Sequence, residues 1–87
     1  MEITYTHCAG LDVHKKTIVA CGIVSSPGQK LVRKTQTFGT WTSDLLALSD
    51  WLSGQGITHV AMESTGEYWK PVYNLLEANF TLLVVNA

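Results

Sequence analysis

The sequence predicts an α/β domain with one five-stranded mixed sheet, its elements running βββαβαβ, and three observations predict it. Two runs rich in β-branched and small apolar residues, 4–13 and 17–24, are joined only by His14-Lys15-Lys16, which reads as a tight antiparallel hairpin. From Thr42 the period changes, and Leu45, Leu48 and Leu52 recur at helical spacing until Gly54 and Gly56. Beyond them short apolar runs flank a second helical stretch, and crossovers of that length bring in parallel strands.

Taken in order, residues 4–13 and 17–24 are strands one and two. Residues 25–29, Ser-Ser-Pro-Gly-Gln, are dense in turn formers. Residues 30–38 are more polar and only partly alternating, the pattern of an edge strand whose lysines discourage sheet-to-sheet pairing. Thr42 or Ser43 is expected to cap helix one, which the glycines at 54 and 56 end. Residues 57–63 form a compact fourth strand with Glu63 at its C-terminal tip, broken at once by Ser64-Thr65-Gly66. Helix two is expected from Gly66 or Glu67 to Ala78, with Pro71 tolerable in or near its first turn. Thr81–Asn86 closes the chain as an apolar fifth strand.

At 87 residues with 46% hydrophobic content, residues 1–87 fit a single small domain with a modest core. The formal net charge of −1 carries no bulk footprint of a nucleic-acid-coating protein, so any DNA or RNA contact must be local. No signal peptide is expected, and no window approaches the ~18 apolar residues of a membrane span. These features predict a soluble, cytoplasmic protein. Cys8 and Cys21 fall in neighbouring strands whose register is open, and free, reduced thiols are the expectation.

Asp12 is the residue that calls for explanation, because it stands amid residues that belong inside a sheet. A lone carboxylate buried there costs several kcal/mol unless a metal ion or cation compensates it. In an open sheet with parallel strands, sites form beyond the carboxyl ends of the strands. If strands one and four are neighbours, Asp12 and Glu63 emerge at one end from backbones roughly 4.8 Å apart. Two such carboxylates repel each other, and a hard cation, Mg²⁺ or Mn²⁺, removes the repulsion. A two-metal site there could activate water or a hydroxyl and stabilise the leaving oxygen of a phosphodiester.

Blander readings exist for each residue. Asp12 could be a strand-end residue pairing with Lys15 or Lys16, and Glu63 a solvated carboxylate at a helix entry. It is the pairing that favours function. His14 reads first as a polar turn residue, and no Cys/His spacing resembles a zinc site. Lys15 and Lys16 are solvated turn charges or phosphate contacts. Ser64, Thr65 and Gly66 either offer hydroxyls and N–H groups to a phosphate or only cap and turn the chain. Tyr68 and Trp69 could stack on bases, but anchoring helix two against the sheet suits Trp69 better.

The stretches Gly10-Leu11-Asp12-Val13-His14-Lys15 and Met62-Glu63-Ser64-Thr65-Gly66-Glu67-Tyr68-Trp69-Lys70-Pro71-Val72 resemble the N-terminal part of the DEDD transposases of bacterial insertion sequences. That family includes RNA-guided bridge recombinases and Piv-like DNA invertases. The resemblance covers essentially the whole chain and implies a RuvC-like, ribonuclease H type fold. It implies that Asp12 and Glu63 are the first two acidic residues of a catalytic tetrad and ligands of Mg²⁺ or Mn²⁺. The third and fourth, on a helix after the fifth strand, and a C-terminal domain with a nucleophilic serine, have no match here.

The expectation is therefore a partial catalytic domain, truncated before the final catalytic helix, of a transposase that cleaves and exchanges DNA strands. Its metal would be weakly held or absent, and residues 1–87 alone inactive. DNA, a guide RNA in the whole protein and other copies of the chain are the implied partners, with no membrane. Two alternatives stand beside this reading. One is the N-terminal part of an actin-like ATPase or sugar kinase, for which His14-Lys15-Lys16 is a poor phosphate-binding turn. The other is a non-catalytic ribonuclease H type scaffold that positions nucleic acid.

Overall fold

The computed structural model describes residues 6–26 and 28–86, the last without its side chain. Thr4 and Tyr5 of the expected first strand and Pro27 of the expected turn lie outside the described residues. The elements are β1 (His7–Val13), β2 (Ile18–Val24), β3 (Val32–Phe38), α1 (Thr42–Gly54), β4 (His59–Ser64), α2 (Trp69–Leu76) and β5 (Thr81–Asn86). They form a mixed five-stranded sheet, ordered β3-β2-β1-β4-β5, with two helices. β1, β2 and β3 make an antiparallel meander, while β4 pairs parallel with both β1 and β5.

Alternation along the strands divides the sheet into two unlike faces. Ala9, Leu11, Val13, Ile18, Ala20, Val60 and Met62 point to one side and are buried in a single cluster with Leu45, Leu48 and Leu52 of α1 and Val72 and Leu76 of α2. Each fully buried aliphatic side chain there contributes about 1.5–3 kcal/mol of transfer free energy. The intervening residues face the other way, and Gly10, Asp12, Val19, Glu63, Leu83 and Val85 are exposed. Among the described residues both helices pack on the first face, and no element lies across the second. Among the described residues no helix is long and apolar enough to cross a membrane.

The ends of the helices depart from expectation for local reasons. Trp41, not Thr42 or Ser43, is the N-cap of α1, because the Asp44 carboxylate reaches back to accept the Trp41 N–H at 3.0 Å. At the other end Gly56 N–H donates to the Ser53 carbonyl and Ile57 N–H to that of Leu52, the paired closure of a Schellman motif. That second bond ties Ile57 to the helix, and β4 starts at His59 rather than at 57. Gly56 sits at φ 73°, where a side chain is disfavoured by about 1–2 kcal/mol. Gly56→Ala is expected to lower stability by about that amount, read as a lower urea midpoint with unchanged slope.

α2 begins at Trp69, later than expected, because Gly66 at φ 60° and the turn through Tyr68 intervene. Pro71 is its third residue, where the missing N–H would have had no partner within the helix. Trp69 is half-buried against the core and meets Tyr73 edge-on with ring centroids 5.8 Å apart, so it anchors α2.

Candidate metal centre at the rim of the sheet

The parallel ladder between β1 and β4 builds the site. Asp12 is the register partner of Glu63, and each is the penultimate residue of its strand. Register partners in a parallel pair project to the same face, and for these two it is the exposed face. The N–H of Thr65 donates to the Val13 carbonyl at 3.3 Å, carrying the ladder one step past the carboxylates. Both acids line a trough of about 380 Å³ on the open face, whose floor is Gly10 and Ala61 and whose flanks include Val19 and Val85.

Asp12 is therefore not the buried charge its neighbours suggest. Its side chain is 58% exposed, because the apolar residues around it face the helices while it faces away. Water rather than a compensating ion can solvate it, and the case for a cation rests on the convergence of two acids. Nor does Asp12 pair with Lys15 or Lys16. Its partner is His14, with Nε2 3.0 Å from Asp12 Oδ2. His14 is two residues further along the same chain direction, and the alternation that puts residues i and i+2 on one side was the signal for this contact.

Asp12 and Glu63 supply oxygen donors only, the set that suits a hard cation such as Mg²⁺, which keeps several waters and takes one or two carboxylates. Among the described residues no group of three or more His, Cys, Asp or Glu side chains gathers to hold a metal. The other anticipated residues divide around this rim. Lys15 and Lys16 are exposed in the turn that follows β1, at the same end of the sheet. Thr65 is exposed, but its N–H is committed to the ladder. Ser64 is turned away: it is 8% exposed on the helix-covered face and its hydroxyl donates to the Thr65 carbonyl at 3.2 Å. Tyr68 is exposed, and with His14, Lys15 and Thr40 it borders a smaller cleft of about 200 Å³.

The remaining titratable groups of interest lie elsewhere. His7 and His59 are at the opposite ends of β1 and β4, each with Nδ1 2.8 Å from the hydroxyl of the preceding threonine. Cys8 and Cys21 are free, half-buried and not directly opposed: Cys8 is across from Ile23 and Cys21 from Gly10.

Comparison with known families adds one finding. A family model described as a transposase, of the IS110-type DEDD group, matches residues 9–87. That span contains both rim carboxylates, all but the first two residues of β1 and every later element. No curated protein matches the chain.

Proposed function

Given that the chain belongs to the IS110-type DEDD transposase family, we propose that it provides the first two acidic residues of a metal-dependent site for DNA phosphodiester cleavage and strand exchange. The observation that carries this reading is the Asp12–Glu63 register pair, two exposed carboxylates side by side at the C-terminal ends of parallel strands. The mixed sheet with both acids on adjacent central strands supports a RuvC-like, ribonuclease H type identity for the domain.

In this reading Asp12 and Glu63 hold Mg²⁺ or Mn²⁺ through oxygen. The chemistry such an ion would supply there is polarisation of a water or hydroxyl and stabilisation of a leaving oxygen. Lys15 and Lys16, just beyond Asp12, meet the phosphates of the DNA strand as it crosses the rim, and the Thr65 hydroxyl adds a neutral contact. Such contacts position the backbone and carry no sequence information. Two carboxylates make half of the tetrad this reading requires, so the pair by itself is expected to hold the ion weakly.

The test is recombination by the tetrad-complete transposase carrying Glu63→Gln. Loss of strand cleavage with DNA binding retained is expected. Recombination at the parent rate would instead identify the domain as a scaffold, with the chemistry elsewhere.

A further inference from the structure

Two residues past the first proposed metal ligand, the chain places an imidazole against it. We infer that His14 is a positioning residue for Asp12, donating Nε2–H to Oδ2 so that the carboxylate is held in one orientation for its cation. The inference rests on the proposed metal site. A carboxylate oxygen can only accept, so in this 3.0 Å contact the ring nitrogen is the donor. One oxygen of Asp12 is thereby engaged, and the other is left to the cation.

The backbone that carries the ring is tied to the surrounding fold. The His14 N–H donates to the Thr17 carbonyl at 2.9 Å, closing the β1–β2 turn at the point where the side chain departs. His14 lines a cleft together with Thr40, Tyr68, Pro71 and Val72, which belong to the β3–α1 connection and the start of α2. Thr40 is fastened to the same turn through its hydroxyl, 3.4 Å from the Lys15 carbonyl. His14 thus shares a cleft with the β3–α1 connection and the start of α2, and its side chain is 45% exposed against 58% for Asp12.

The choice of residue fits the task. A lysine or arginine in contact with Asp12 would bring a fixed positive charge that repels a divalent cation, while an imidazole can donate a hydrogen bond without carrying charge. Among the described residues Lys15 and Lys16 form no ion pair, which leaves the Asp12 carboxylate uncompensated by either ammonium. Hydrogen bonds of this kind around a ligand typically alter metal affinity 10- to 100-fold.

The experiment is Mn²⁺ titration of the 87-residue chain, followed by paramagnetic broadening of amide resonances near residues 12 and 63, in the parent and in His14→Leu, His14→Ala, His14→Gln and Asp12→Asn. Circular dichroism checks the fold of each variant, and the alanine variant replaces the leucine one should the latter unfold. His14→Leu and His14→Ala are expected to weaken Mn²⁺ binding about 10- to 100-fold, and His14→Gln, which keeps an N–H donor, to recover most of the loss. Parent-like binding in the two donor-less variants, with Asp12→Asn abolishing it, overturns the role of His14 and leaves the metal site standing. No broadening in the parent, or broadening that Asp12→Asn leaves unchanged, overturns both.

Discussion

Asp12→Asn is expected to reduce Mg²⁺-dependent DNA cleavage by the tetrad-complete transposase by at least about 10³-fold, since an ion that stabilises the reacting oxygens contributes several kcal/mol and each 1.36 kcal/mol is a factor of ten. Asparagine has the shape of aspartate and a carbonyl oxygen that His14 can still donate to, so the β1 rim keeps its form. What the substitution removes is charge. The exposure of the Asp12 side chain, 58%, means that no buried network collapses with it. The unfolding free energy from urea titration is accordingly expected to stay within about 0.5 kcal/mol of the parent, as for surface changes in general. Gel-based cleavage with Mg²⁺, with EDTA and with EDTA followed by Mn²⁺ checks the result. Activity in EDTA equal to that in Mg²⁺ would rule out the metal-dependent mechanism.

Met62→Ala is expected to cost about 2–5 kcal/mol, which in a domain whose total stability is of order 5–15 kcal/mol removes a large part of the fold's margin. Met62 has no exposure and lies on the core face of β4 between Leu11 and Val84 of the flanking strands. Truncation opens a cavity beneath the strand that presents Glu63. Met62→Leu, which conserves volume, is expected to cost less than about 1.5 kcal/mol. Urea unfolding followed by far-ultraviolet circular dichroism separates the two. A small, equal loss in both would mean that the space over β4 collapses without cost.

The contrast between these two neighbours, one on each face, also indicates how far the sequence could be read. The elements were legible because their periods differ: leucines at helical spacing in α1 stand against the runs of small and β-branched apolar residues in β1 and β2. Asp12 and Glu63 were each legible as strand-end acids, but that β1 and β4 are neighbours, which the residues alone do not establish, comes from the ladder. What the one-dimensional pattern does not carry is which sheet face the helices cover. Asp12 was for that reason expected among buried groups and is exposed, and Ser64 was grouped with the rim and lies beneath it. The choice of His14 over two nearby lysines depends on side-chain direction at the end of a strand. The use of Asp44 rather than a hydroxyl to close α1 depends on how the chain enters the helix.

The in-step pairing of β1 with β4 has a consequence for how this domain can vary. Substitution at 12 or 63 changes one group and leaves its neighbour in place, but adding or deleting a single amino acid between His59 and Glu63 rotates every later side chain of that strand by half a turn. The acid would then be driven under the helices and an aliphatic group lifted into water. Length, more than composition, is what this part of the chain cannot change by one.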